Sequence, residues 1–154
     1  MKYPAILILL LLIPGRALSQ PKSSDASEVQ AVIESLFEAM KASDGSQIKP
    51  LFAVNARMNT IGKDTDGNSV VKEVPVEAFI QRVSASQPGM LNETILSYSI
   101  HVDGELASAW TPYEFYFGDE FSHCGSNSFQ LFRNPEKGWQ ILYIIDTRKQ
   151  EGCF

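Results

Sequence analysis

The sequence predicts an α+β domain in which helices come first and a meander of antiparallel strands follows. Two observations carry this. Before residue 84, apolar residues recur at steps of three and four in three separate stretches. From Leu91 onward they recur at every second position. The chain has 154 residues, a length that matches one domain with one core.

The first residues are read as a targeting segment rather than as fold. Lys2 precedes an unbroken apolar run at 5–13, Pro14-Gly15 ends it, and Ala17-Leu18-Ser19 offers small residues for a signal peptidase, so 1–19 is a signal peptide cleaved before Gln20. The alternative is an uncleaved anchor, but spanning a bilayer needs roughly 20 apolar residues. Removing 19 of the 154 residues leaves 135, and the loss of Lys2 and Arg16 moves the formal charge from −5 to −7. An acidic chain with no Lys/Arg cluster argues against nucleic acid or an anionic membrane as partner and favours a small molecule or another protein. The expected location is the periplasm or the exterior.

Residues 20–24 form a polar linker, and the domain occupies 25–154. Val29, Val32, Ile33, Leu36, Phe37 and Met40 make one helical stripe, with Asp25 or Ser27 as N-cap and Ser43-Asp44-Gly45 as the stop. A second helical piece is expected at 47–53, where Pro50 fits only near a first turn. Strands at 57–62 and 69–74 are joined by a polar loop. Its Asp64, Asp66 and Asn68 alternate as in a calcium loop, but the glycine is misplaced and no glutamate closes the loop, so it is read as a turn. Pro75 opens a third helix with Val76, Phe79, Ile80 and Val83 on its buried stripe, and Gln87-Pro88-Gly89 ends it.

The meander from Leu91 is expected to turn at Val102-Asp103-Gly104-Glu105, setting Ile100 opposite Ala107, Tyr98 opposite Ala109 and Leu96 opposite Thr111. The next turn, Gly118-Asp119-Glu120, sets Phe117 opposite Phe121, Phe115 opposite His123, Tyr113 opposite Gly125 and Ala109 opposite Phe129. Polar His123 and Asn127 then share a face with Phe129 and Leu131, which suggests a pocket. The final hairpin stays open between two registers. Pairing Arg133 with Gly138 puts Leu142, Ile144, Asp146 and Arg148 on the His123 face, whereas a slip of one residue puts Trp139, Ile141, Tyr143 and Ile145 there.

Three helices and about six strands in the order α-α-β-β-α-β-β-β-β resemble the nuclear-transport-factor-two-like superfamily, which includes scytalone dehydratase, ketosteroid isomerase and the SnoaL-type polyketide cyclases. More narrowly, His123-Cys124-Gly125-Ser126-Asn127 with Phe129, Leu131, Gly138-Trp139 and Asp146-Thr147-Arg148 is similar to exported members called lumazine-binding proteins. The resemblance implies a cone: a curved antiparallel sheet wrapped around the helices, with an apolar ligand cavity at the open end. The isomerase's aspartate and tyrosine have no residue-by-residue match here. No cofactor is implied.

Within that frame His123 is the candidate general acid or base, because its unperturbed pKa lies near neutrality. The competing reading is a core histidine satisfied by a neighbour such as Asn127 or a backbone carbonyl. Tyr98, Tyr113, His123, Asn127, Asp146 and Arg148 are the candidate ligand-binding residues. Asp146 and Arg148 alternatively form an ion pair that pins the last strand. Trp110, Glu114 and Tyr116 have the opposite parity and are assigned to the outer face, where such domains often make dimer contacts. Cys124 and Cys153, an even count in an oxidising compartment, are expected to form a disulfide worth roughly 3 to 4 kcal/mol, with free thiols as the alternative. Scattered as they are, two cysteines and two histidines give no zinc spacing. No nucleophile elbow, phosphate loop or zinc-protease motif occurs in the sequence. The leading expectation is therefore an exported domain binding a small, partly apolar molecule. The rivals are a cofactor-free isomerase, dehydratase or cyclase, and a homodimeric or protein-interaction module.

Overall fold

The computed structural model describes residues 24–153; the expected signal peptide and nearly all of the linker lie outside them. Helix α1 (Asp25–Lys41) begins at Ser24, one residue before the expected caps, because the Ser24 hydroxyl accepts the Ser27 N–H at 3.3 Å. A short α2 (Gly45–Ile48) runs into a 3-10 turn (Lys49–Leu51), so the second helical piece starts and stops earlier than its apolar spacing suggests. Strand β1 (Phe52–Lys63) correspondingly begins at Phe52 and pairs with β2 (Ser69–Glu73). In the loop between them, Asp64 Oδ1 accepts the N–H groups of Asp66 and Asn68. Then come α3 (Val76–Ser84), β3 (Leu91–Ile95), β4 (Ser99–Asp103), β5 (Leu106–Phe117), β6 (Glu120–Asn134) and β7 (Gly138–Thr147).

Seven strands form one curved, unclosed sheet in the order β2-β1-β7-β6-β5-β3, with β4 also paired to β5. The expected sheet was antiparallel with about six strands. It is instead mixed, because β1 lies parallel to β7, and the strand expected between Leu91 and Val102 is broken at 96–98 into β3 and β4. The β4–β5 turn is also displaced: Asp103 pairs with Leu106, Gly104 takes the first loop position at φ +57°, and Ile100 faces Ala109. That shift is two residues in register, so every side chain keeps its face.

One face of α1 packs into the concave sheet. Val29 and Ile33 are fully buried, and Phe37 meets Phe129 edge to face at 6.3 Å. Each such buried aliphatic side chain contributes about 1.5–3 kcal/mol. Arg133 of β6 lies over the Trp139 ring and pairs with Asp25 and Glu28, fixing the start of α1 to the sheet.

The last hairpin does not form the Arg133–Gly138 pair, since Arg133 faces Trp139, but a bulge gives it both of the facings that the sequence left open. Asn134 pairs with Gly138 and Leu131 with Ile141; then Leu142 bulges out, and Phe129 pairs with Ile144 and Asn127 with Asp146. Trp139 and Ile141 therefore face inward at one end of β7, and Ile144 and Asp146 at the other. A second bulge, at Ser122, places Tyr116 opposite Phe121 and Phe117 opposite Glu120, correcting the expected Phe117–Phe121 pair but leaving Phe115 opposite His123.

Beyond Asp146 the chain turns its Thr147 carbonyl inward over Gly125, where an added Cβ would lie 1.8 Å from that oxygen. Ser126 N–H is satisfied instead by Thr147 Oγ1 at 3.2 Å, and backbone pairing resumes between Cys124 and Lys149. Cys124 and Cys153 are bonded, clamping the segment. Gly125→Ala is expected to cost about 3 kcal/mol or more, because the obstacle is backbone. Urea unfolding measures it, and a loss under about 1 kcal/mol would mean that Thr147 does not approach this closely.

Candidate functional site

The strand registers place inward-facing residues in rows across the sheet. Met58, Ile144, Phe129 and Ala109 form an apolar row next to α1. The next row is polar: Lys72, Thr60, Asp146, Asn127 and Thr111. Beyond it stand Tyr113 opposite Gly125 and Phe115 opposite His123. Helix α3 closes the other side with Phe79 and Val83, and the enclosed space is an open cavity of about 1090 Å³.

The polar groups on one wall form two linked clusters. Tyr113 Oη donates to the Thr147 carbonyl at 2.9 Å and lies 3.2 Å from Asp146 Oδ2, to which Arg148 Nε donates at 2.8 Å. Asn127 Nδ2 donates to Glu93 Oε1 at 2.8 Å and to Thr111 Oγ1 at 3.3 Å. Burial pushes the Glu93 carboxyl up to about 8, and the Asp146 charge adds to that; the Asn127 hydrogen bond and Arg148 oppose it. Glu93 is therefore largely uncharged at neutral pH. Burial and the charges of Asp146 and Glu93 push the Tyr113 phenol well above its ordinary value, so it stays a donor.

His123 stacks on Phe115 with centroids 4.9 Å apart and meets Tyr113 edge-on at 5.8 Å. Its Nδ1 lies 3.1 Å from Ser122 Oγ. Burial and the Arg148 charge lower its pKa, against a smaller opposing effect of Asp146, so the ring is neutral at pH 7. Among the described residues its hydrogen-bond neighbour is Ser122 rather than Asn127 or a backbone carbonyl, and the Phe115 and Tyr113 rings pack against it, an arrangement that the competing reading, a histidine satisfied by a neighbour, also accommodates.

Of the residues singled out from sequence, Tyr113, His123, Asn127, Asp146 and Arg148 line the cavity together. Tyr98 does not. It falls in the break between β3 and β4 and packs on the core beside Glu34 and Glu38 of α1, which with burial raise its pKa. Trp110 stands on the outer face, 51% exposed, and Tyr116 Oη donates to Glu114 Oε2 at 2.9 Å nearby. Sequence reasoning missed Glu93 and Thr60, and it put Thr111 on the His123 face without making it a site residue. Glu93 has the parity of Leu91 and Ile95 in its strand, an acid on an apolar face, and that signal was legible.

Comparison of the fold finds solved structures of the same architecture at low sequence identity. An NTF2-like protein of unknown function from Shewanella baltica superposes with a TM-score of 0.61 and 18% identity, over 84% of this chain and 100% of that one. A candidate dehydratase of the NTF2-like family from Streptomyces avermitilis gives 0.60 and 12%, over 81% and 96%. A candidate ketosteroid isomerase from Shewanella frigidimarina gives 0.56 and 15%, over 80% and 94%. No protein-family model matches the chain, and no curated protein matches its sequence.

The Glu93 shift has a measurable sign. Its pKa rises from 4.5 to about 8 on folding, so between those values the unfolded chain has released a proton that the folded one keeps. Stability from this group is complete below about pH 4.5 and is lost as pH rises through 8. His123 acts oppositely, costing stability as pH falls below its ordinary 6.5. Glu93→Gln removes only the first effect. Urea unfolding across this window is expected to show the variant gaining on the wild type as pH rises, and a constant difference would mean Glu93 is ionised throughout.

Proposed function

We propose that this domain of NTF2-like fold is an exported binding protein for a small, partly apolar molecule held in the cone. The observation that carries this is the cavity of about 1090 Å³, with aromatic and aliphatic side chains below and convergent polar groups on one wall. Its size lies just above the range for small-molecule sites, roughly 300–1,000 Å³, as an open cavity's does. Tyr113, Asp146, Arg148, Asn127 and Glu93 hold one another in place, so the polar wall is formed before any ligand arrives. The Cys124–Cys153 disulfide supports an oxidising, extracytoplasmic setting.

The neutral fluorophore N-phenyl-1-naphthylamine tests the reading. Saturable binding of one equivalent is expected, weakened about tenfold or more by Met58→Trp, which fills the apolar row without touching the polar wall. Binding unchanged in that variant would locate the fluorophore elsewhere and overturn the reading.

A second reading, cofactor-free proton transfer, is favoured by one arrangement: uncharged His123 and Glu93 flank the Tyr113–Asp146 contact, giving proton acceptors and donors in one apolar site. The two solved neighbours described as a candidate dehydratase and a candidate ketosteroid isomerase are consistent with it. Under this reading a β,γ-unsaturated cyclic ketone is converted to its conjugated isomer, followed by ultraviolet absorbance. His123→Ala is expected to lower that rate about 100-fold. A rate indifferent to the substitution would remove His123 from the chemistry.

A further inference from the structure

We propose that the ligand is an amphiphilic anion, with its apolar body inside the cone and an oxyanion group at the mouth held by Lys72 and Arg82. The inference rests on the cavity reading above and names the ligand class. The chain as a whole is acidic, with 13 Lys and Arg against 18 Asp and Glu. The cavity inverts that balance: Lys63, Lys72, Arg82, Arg148 and Lys149 line it against Glu73, Glu93 and Asp146.

Pairing divides these groups further. Arg148 is taken by Asp146 at 2.8 Å. Among the described residues, Lys72 and Arg82 form no ion pair. Lys72 Nζ meets a neutral oxygen, the Lys63 carbonyl at 3.1 Å, on the cavity face of the hairpin beside Gly62; Lys63 stands on the opposite face, its Nζ 2.9 Å from Oγ of its cross-strand partner Ser69. The β1–β2 hairpin and α3 thus bring two cations without ion pairs to the cavity lining, against the sign of the protein's own field.

Two further features fit an oxyanion there. Lys72 pairs across the strands with Thr60, whose Oγ1 is shielded from solvent and has no hydrogen-bond partner among the described residues. A hydroxyl beside an ammonium is a donor pair for an anionic oxygen. Along α3, Phe79 and Val83 line the cavity together with Arg82, so one helix face passes from apolar wall to cation. A ligand with an anionic end would follow that order.

The test uses two fluorophores with the same anilinonaphthalene body, neutral N-phenyl-1-naphthylamine and its sulfonate, 8-anilinonaphthalene-1-sulfonate. The sulfonate is expected to bind about tenfold tighter despite the negative protein, and the preference to shrink with added salt. The double variant Lys72→Gln/Arg82→Gln, at exposed positions, should abolish the preference while changing neutral binding less than about twofold. Met58→Trp should weaken both probes. A sulfonate bound no tighter than its neutral counterpart, or a preference that survives the double variant, overturns the anion class and leaves the cavity reading standing. If neither probe binds, the cavity reading fails and this inference with it.

Discussion

The polar wall depends on the missing side chain at residue 125. Because nothing projects from Gly125, the backbone of Thr147 can turn its carbonyl across the inner face of the sheet and onto the Tyr113 hydroxyl. That turn would break the ladder, but Thr147 Oγ1 takes over the Ser126 N–H and the Cys124–Lys149 bridge restores pairing two residues on. Asp146 and Arg148 flank the turn, and their ion pair sits against Tyr113 as a result. The disulfide then closes a loop of sequence separation 29. Holding this one irregular segment therefore constrains a tyrosine, an acid and a cation at once.

The sequence showed the architecture more clearly than the registers. Helical and strand periodicities located α1, α3 and the β5–β6 ladder, and Phe115 faces His123 as expected because the bulge at Ser122 offsets the one-residue difference at the turn. The β4–β5 turn was displaced without harm because its slip preserves parity. The β6–β7 hairpin could not be read, for a physical reason: a bulge at Leu142 is invisible to a period-two pattern when the residues on both sides are apolar. Trp139 and Ile141 look inward on one count and Asp146 on the other, and the strand satisfies both by inserting one residue. The parallel β1–β7 pair was equally hidden, since no local turn connects strands so distant in sequence.

The site was legible where a polar residue interrupts an apolar face, as His123 and Asn127 do. Glu93 satisfies the same criterion in β3, yet in sequence it sits inside Asn92-Glu93-Thr94, which suggests a surface modification signal. Its partner settles its role: the Asn127 amide is shared between Glu93 and Thr111, so three strands meet at one hydrogen-bonded group. Tyr98 went the other way, because the break after Ile95 carries it past the cavity to α1.

The charge states then explain why the cavity can favour an anion despite containing carboxyls. On the polar wall Glu93 holds its proton near neutrality, and Asp146 is balanced by Arg148. The inner wall is close to neutral in consequence and presents hydrogen-bonding groups, as suits an apolar molecule with polar substituents. Removing an unpaired charge from water costs several kcal/mol, so a buried anionic end would be disfavoured there. At the mouth an anion keeps part of its hydration and still meets Lys72 and Arg82, whose charges no acid of the described chain neutralises by direct pairing. Burial decides which carboxyl is silent, and the placement of the two cations decides which end of a ligand faces out.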